Sequence, residues 1–246
     1  MTTQAPAFGS AVGVLLRNVQ AGLYDAPTWV DVPLGDMIVT VGSDNLKSSS
    51  DGSSPSLRLP VTWPETYAIT RVIGDSIGED LIAPSQKIAD AIYAAAKTKT
   101  VLDGQGTSAM TAMSTVQAYN HDVDQQIAKK GGSPDGLVSG HEKYWILHSR
   151  LDPSVNNVIL AQNGFPPIAD PAVNYGGWGP NGRPIQTVGG RHNAEHVDYS
   201  QLIRLVKRWA KKKDGTRVDL LAWIEQNEGV SSKYTDLFRS PSQLAA

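Results

Sequence analysis

A serine and a histidine are the residues whose types and surroundings could support nucleophilic chemistry in this sequence. Ser76 lies in residues 72–78 (VIGDSIG), which the pattern predicts to be a turn after a strand. A serine on such a turn can attack an acyl group if a base takes its proton and N–H groups stabilise the oxyanion. One hypothesis is therefore a serine esterase.

The same residues resemble the first block of the SGNH (GDSL-type) hydrolases, in which a serine follows Gly-Asp after the first strand. The resemblance implies Ser76 as the nucleophile, Gly104 or Gly106 as the backbone donor of the oxyanion hole, and His196 as the base. The family's Gly-x-Asn-Asp block is absent, and residues 153–157 (PSVNN) are the nearest segment. Its Asp-x-x-His block appears as residues 193–196 (NAEH), which lack the aspartate.

The histidines could also bind a metal. Two groupings combine histidine with carboxylates: His141 and His148 with Glu142 or Asp152, and His192 and His196 with Glu195. The sequence has no HExxH motif or comparable ligand spacing, so ordinary polar histidines are expected. We expect neither a metal nor a cofactor.

A run of basic residues near the carboxyl end could meet phosphates. It comprises Arg204, Lys207, Arg208, Lys211, Lys212, Lys213 and Arg217, with Asp214 as the acidic member. On a predicted helix from about residue 198, Arg204, Lys207, Arg208 and Lys211 could contact nucleic acid weakly. The alternative is an amphipathic helix with a solvated basic face and an apolar stripe from Tyr199 to Trp209.

The first part of the chain is predicted to be extended. Residues 11–18, 28–34 and 37–42 are apolar runs typical of strands, and residues 43–56, which are rich in serine, are predicted to form the exposed tip of a β-hairpin. Two further strands are predicted at residues 57–63 and 67–73. Residues 1–62 would form an extended arm, and residues 63–246 a mixed body.

Helices are predicted to follow. Ser85 is a candidate N-cap for a helix that carries Ile88 and Ile92 and ends before Asp103. A second helix is predicted from about 109 to 130, then a short strand at 136–140 and a short helix at 141–151. Residues 152–192 are predicted to be loops, and after Asp214-Gly215 a last helix is predicted from about residue 216. The expected fold class is α+β, with a central long helix and a helical carboxyl end.

This order resembles the middle of HK97-like phage major capsid proteins. The segments that carry the resemblance are Ser76 with Glu79-Asp80, the alanine-rich helix, residues 102–107 (LDGQGT), residues 131–138 (GGSPDGLV) and Tyr144-Trp145. The resemblance covers roughly residues 57–147, and residues 43–56 would match the family's extended loop. It implies a virion structural protein that assembles with copies of itself in the host cytoplasm and has no catalytic residue.

Composition fits a globular protein but does not decide between these hypotheses. The 246 residues include 40% hydrophobic and 19% charged residues, and the formal net charge is -2. The absence of cysteine excludes disulfides, thiolate catalysis and cysteine zinc sites. No apolar run is long enough to cross a bilayer, so no membrane contact is expected. A shell protein, a serine esterase and a nucleic-acid-binding protein remain the three alternatives.

Overall fold

The computed structural model describes residues 10–49, 55–104, 109–132 and 136–239, and within them the fold mixes helices and strands. The α-helices of the described residues are α1 (Val14–Gln20), α2 (Trp63–Ile77), α3 (Gln86–Ala95), α4 (Met113–Lys129), α5 (Pro153–Gln162), α6 (Leu220–Glu228) and α7 (Ser232–Thr235). Two 3-10 helices span Ser149–Leu151 and Asp236–Phe238.

The strands are short except for one hairpin. They are β1 (Trp29–Leu34), β2 (Met37–Gly42), β3 (Lys47–Ser48), β4 (Leu57–Arg58), β5 (Leu81–Ile82), β6 (Thr98–Lys99), β7 (Val138–Ser139), β8 (Lys143–Trp145), β9 (Pro171–Trp178), β10 (Pro184–Asn193), β11 (Gln201–Leu202), β12 (Val206–Lys207), β13 (Trp209–Lys212) and β14 (Arg217–Asp219). The expectation of a mixed fold is therefore confirmed.

Two larger sheets organise the protein. The first has six strands in the order β14-β13-β2-β12-β5, and β1 also pairs with β2. The second has the order β10-β9-β8-β11, in which β8 and β11 are parallel. The first sheet pairs strands from near both ends of the chain, so the proposed boundary at residue 62 separates strands that hydrogen-bond to each other.

Of the apolar runs predicted to be extended near the amino end, the strand at residues 11–18 is wrong, because this run contains most of α1. The strands at residues 28–34 and 37–42 are confirmed as β1 and β2. Helix α1 begins after Gly13, whose φ of 74° suits a glycine, and buries Leu15 and Val19 on one face. Strands β1 and β2 form an antiparallel hairpin with Leu34 opposite Met37.

The serine-rich hairpin is confirmed at its base only. Strand β3 pairs antiparallel with β4, which places Lys47 opposite Arg58. Ser43, Asn45 and Ser48 are buried, so this part of the segment packs into the body and does not project. The predicted tip at residues 50–54 lies outside the described residues.

The predicted strand at residues 67–73 is wrong, because these residues lie within α2. Thr62 and Glu65 form a capping box: Thr62 Oγ1 accepts from the Glu65 N–H, and Glu65 Oε2 accepts from the Thr62 N–H at 2.7 Å. Ile69 and Ile73, four residues apart, are both buried. The alternation around Ile69 suggested a strand, but the capping signal and this four-residue spacing specify a helix.

Both predicted central helices are present as α3 and α4, but α3 is shorter than predicted. Ser85 caps α3 as predicted, yet α3 ends at Ala95, and β6 begins at Thr98, within the stretch predicted to be helical. Helix α4 matches the second predicted helix closely. The short strand near residue 138 is also confirmed, because β7 pairs in parallel with β6.

The second half of the chain departs most from the predictions. Residues 141–151 form β8 and a 3-10 turn instead of a helix. Residues 152–192 contain α5 and the β9–β10 hairpin instead of loops. The predicted helix from residue 198 is replaced by β11, β12 and β13, while α6 confirms the last predicted helix. The run from 198 to 206 is buried throughout, and its apolar residues meet neighbours on both sides.

Two buried ion pairs join residues that are distant in the sequence. Arg58 is 1% exposed and donates to both carboxylate oxygens of Asp44, at 3.0 Å and 2.5 Å. Arg204 is fully buried and donates to Glu142 Oε1 at 2.8 Å. Burial opposes both guanidinium charges, but the facing carboxylates outweigh it and raise the pKa of each arginine. These arginines serve the interior of the fold.

A candidate anion-binding cleft

The predicted nucleophile Ser76 lies in the last turn of α2 and not on a tight turn after a strand. Its hydroxyl donates to the Ile73 carbonyl at 2.7 Å, so the Tyr24 hydroxyl, 2.9 Å away, is the donor to Ser76 Oγ. Serine hydroxyls within helices commonly donate a hydrogen bond to a backbone carbonyl of the preceding turn. The turn that the esterase hypothesis requires is therefore absent at Ser76.

The other two predicted esterase residues have contacts of their own. His196 stacks on His192, with ring centroids 3.8 Å apart and planes 9° from parallel. Gly104 is exposed at the end of a described segment, and Gly106 lies outside the described residues. The structure does not join His196 to Ser76 by a hydrogen bond between these described residues, and esterase activity stays a prediction.

The histidine groupings serve other purposes in the described part of the chain. His141 is fully buried, and its Nδ1 lies 2.8 Å from Thr100 Oγ1. His148 Nδ1 accepts the Arg150 N–H at 3.1 Å, which caps the 3-10 turn. Among the described residues, no group of three or more potential ligands is placed to hold a metal ion.

The basic run near residue 204 is distributed over strands, and several of its cations are paired. Arg204 is buried against Glu142, Arg208 binds Asp219 and Lys207 binds Glu79 at 2.8 Å. Lys211 is exposed on β13. The continuous basic helix face is therefore wrong, and a nucleic-acid contact through these residues stays a prediction.

A different group of cations lies in a cleft of about 430 Å³ beside the second sheet. The cleft is bounded by α5, the turn after it, the 3-10 turn before it and the middle of β10. Its lining residues are Arg150, Ile159, Leu160, Asn163, Phe165, Gln186, Thr187, Val188, Gly189, Arg191 and His192. The lining contains two arginines and a histidine but no carboxylate. We call it the basic cleft.

Arg150 is held in place by the elements around it. Its Nε donates to Asn156 Oδ1 at 2.9 Å, and its Nη1 donates to the Val188 carbonyl at 3.0 Å. The Asn156 amide also donates to the Gly190 carbonyl at 2.8 Å. Arg150 and Asn156 therefore cover carbonyls of β10 at the sheet edge, and Nη2 of Arg150 has no hydrogen-bond partner among the described residues.

Arg191 lies flat on an aromatic ring. Its guanidinium carbon is 3.8 Å from the centre of the Phe165 ring, a cation–π geometry. Within the described residues, neither Arg191 nor Arg150 forms an ion pair with a carboxylate. Burial lowers the pKa of Arg150, and the positive charge of Arg191 lowers it further. The fold thus holds two cations close enough to disfavour each other.

His192 adds a third basic group at the end of the cleft. Burial lowers its pKa to about 4, and the neighbouring charges of His196, Lys143 and Arg191 lower it while Asp198 raises it. The imidazole is therefore neutral at physiological pH and offers a neutral hydrogen-bonding group.

Two consecutive glycines leave room for the polar side chains beneath the cleft. A Cβ at Gly190 would overlap the amide of Asn156, and one at Gly189 would lie 2.7 Å from Asn174 Oδ1. Asn174 is fully buried, and neither polar atom of its side chain has a hydrogen-bond partner among the described residues. Sequence reasoning treated residues 186–192 as a loop and missed these roles. The Gly-Gly pair followed by Arg-His was the signal that could have drawn attention to them.

The comparisons with known proteins give no relative that could identify the cleft. No family model matches the chain, and searches of curated proteins and of solved structures return no significant match. Across the described residues, none of the helices is both long and apolar enough to traverse a lipid bilayer.

Proposed function

We propose that this protein binds an anionic ligand in the basic cleft. The observation that carries the proposal is the placement of Arg150 and Arg191 in one cleft whose lining has no carboxylate. Elsewhere in the described chain, Arg58, Arg204 and Arg208 each bind a carboxylate of the protein itself. Two like charges held together raise the free energy of the unliganded protein, and an anion between them would reverse that cost.

The geometry of the two arginines also suits an anion. Arg150 is fixed through Nε and Nη1, which orients the rest of its planar donor group. The guanidinium carbon of Arg191 lies 3.8 Å from the centre of the Phe165 ring, a distance that suits stacking of the guanidinium face and leaves the N–H groups at its edge for a ligand. Charge-assisted hydrogen bonds from such donors to carboxylate or phosphate oxygens are among the strongest in proteins.

Thermal unfolding in sodium phosphate tests the proposal against sodium chloride at equal ionic strength. Phosphate also stabilises proteins by exclusion from their surface, so the informative comparison is between variants. We expect phosphate to raise the melting temperature of the wild type more than that of Arg191→Gln. Arg183→Gln is the matched control, because Arg183 is exposed and outside the cleft lining. Equal gains for all three proteins would refute anion binding in the cleft.

We propose self-assembly as a second function, as a structural protein of a virion shell related to HK97-like capsid proteins. Exposed apolar side chains on α5 support it: Val155 is 40% exposed and Val158 is 57% exposed. A second copy of the chain that covered them would bury this surface. Under this proposal the protein would reside in the virion after assembly in the host cytoplasm.

A further inference from the structure

We propose that the ligand of the basic cleft is a phosphate monoester of a small organic molecule. This inference rests on the proposed anion binding and goes beyond it by naming the class of anion. Three features lead to it: the number of charges in the cleft, the free edges of the guanidinium groups and the mixed character of the walls.

The charge of the cleft favours a dianion. Arg150 and Arg191 are permanent cations and are without carboxylate partners in the described structure, while His192 is neutral at physiological pH. The second pKa of a phosphate monoester is about 6, so the group carries close to two negative charges at neutral pH. A carboxylate or a phosphate diester carries one charge and would leave one guanidinium without a counter-charge. The monoester therefore compensates both arginines.

The donors around the arginines suit a group with several oxygens. Nη2 of Arg150 and the edge of the Arg191 guanidinium supply charged donors. Asn163, Gln186 and Thr187 are further polar side chains of the lining. The amides of Asn163 and Gln186 each use one N–H on the carbonyl of Ile159 or Thr187, and the second N–H of each amide is left for a ligand. A terminal phosphate presents three oxygens that each accept hydrogen bonds, whereas a carboxylate presents two. The number of available donors thus agrees with phosphate.

The walls of the cleft suit an organic group attached to the phosphate. Ile159 and Val188 are half-buried and give the lining a small apolar side, and Phe165 adds an aromatic ring, one face of which carries the Arg191 guanidinium. A volume of about 430 Å³ is within the range of sites for small organic ligands, which is roughly 300–1,000 Å³. An inorganic phosphate alone would contact little of this apolar surface. The ester group of the ligand would lie along it.

Calorimetric titration with three related probes tests the inference at slightly alkaline pH and constant ionic strength. Phenyl phosphate supplies a dianion and a ring, methyl phenyl phosphate a monoanion and the same ring, and benzoate a carboxylate and a ring. We expect phenyl phosphate to bind at least about tenfold more tightly than either monoanion, because one charge-assisted contact is worth about that factor. In Arg191→Gln that preference should fall to about threefold or less, and Arg183→Gln should keep it.

Three other results would each overturn a different part of the proposal. Equal affinity for phenyl phosphate and the two monoanions would overturn the monoester class while leaving anion binding intact. Inorganic phosphate is titrated as a fourth probe, and if it binds as tightly as phenyl phosphate, recognition of the organic group would be overturned. Failure of the wild type to bind any of these anions, while it remains folded by circular dichroism, would overturn the proposed function itself.

Discussion

The arginines of this protein differ in what balances their charge. Arg58 and Arg204 are buried and form ion pairs with Asp44 and Glu142, so their charges are compensated inside the fold. Arg150 also has fixed contacts, but they are to an amide oxygen and a backbone carbonyl, which carry no net charge. Because these acceptors do not neutralise its positive charge, Arg150 can still form an ion pair with an anionic ligand. This difference at the scale of single residues is the basis of the proposed function.

The fork geometry of Arg150 should matter as much as its charge. In Arg150→Lys the charge stays, but a single ammonium cannot contact Asn156, Val188 and a ligand in the same arrangement. We expect the affinity for phenyl phosphate to fall about tenfold, which corresponds to one charge-assisted hydrogen bond. Calorimetric titration measures the affinity, and Arg183→Lys is the control. An Arg150→Lys variant with wild-type affinity would show that charge alone is sufficient.

A buried histidine should make the stability of the fold depend on pH. Burial lowers the pKa of His141 to about 4, the charges of Arg58 and Arg204 lower it, and those of Glu142 and Asp44 raise it. The unfolded chain, with an ordinary pKa of 6.5 for this residue, binds the proton more readily. The contribution of neutral His141 is therefore complete above about pH 6.5 and is lost as the pH falls towards 4.

Replacing His141 with glutamine should reduce this pH dependence. In urea unfolding between pH 4 and 6.5, His141→Gln should show a slope of the unfolding free energy against pH that is smaller by up to about 1.4 kcal/mol per pH unit. The slope will not vanish, because other histidines also have lowered pKa values: His148, His192 and His196. A variant with the wild-type slope would contradict the assignment to His141.

At the scale of elements, local signals decided which predictions succeeded. The cap of α3 lies close in sequence to the helix that it starts, so Ser85 was recognisable. The last helix was expected from about residue 216, whereas α6 begins after Asp219, its N-cap. The capping box of α2 is equally local, but it was missed, and the alternation in residues 67–73 led to the prediction of a strand. Strands β11 to β13 depend on pairing with distant strands, and a short segment does not reveal whether its apolar residues meet one neighbour or two. Periodicity alone therefore failed there.

The basic cleft could not be predicted for the same reason. Arg150 and Arg191 lie far apart in the sequence and meet only because α5 packs along β10. The short local pattern at residues 189–192 (GGRH) contains half of the site, but it does not indicate which partner it will meet. Hydrogen bonds from Arg150 and Asn156 to β10 join the two halves. These contacts exist only in the folded chain.

The capping box should contribute measurably to the stability of α2. In Thr62→Ala the side-chain acceptor of the Glu65 N–H is lost, and we expect the free energy of unfolding to fall by about 1 kcal/mol. Thr62→Ser keeps the hydroxyl and should lose less. Urea unfolding of the three proteins, followed by circular dichroism, measures the difference. Equal losses in the alanine and serine variants would indicate that packing, and not the hydroxyl, accounts for the effect.

At the scale of the whole molecule, buried apolar side chains form one continuous core, while a few large apolar side chains stay exposed. Exposed apolar side chains are normal when single, and Val155 and Val158 are notable because they lie one turn apart on the same helix. The assembly proposal depends on this surface. The anion-binding proposal does not require it, so the two can be tested separately.

Self-assembly should depend on the exposed valines of α5. We expect the wild type to form large particles at high concentration, and Val155→Asp combined with Val158→Asp to reduce their amount strongly, because charge disfavours burial. Analytical ultracentrifugation measures the distribution. Leu23→Asp is a control, because Leu23 is 52% exposed and lies outside α5. A wild type that stays monomeric at high concentration and moderate salt would end the shell proposal.

The most direct test of the central claim is a crystal structure of the protein with phenyl phosphate at a concentration that saturates binding in solution. We expect density for the phosphate in the basic cleft, within hydrogen-bond distance of the guanidinium groups of both Arg150 and Arg191. The phenyl ring should lie along the side formed by Ile159, Phe165 and Val188. Phosphate density at another place on the molecule, with the basic cleft free of ligand, would contradict the account.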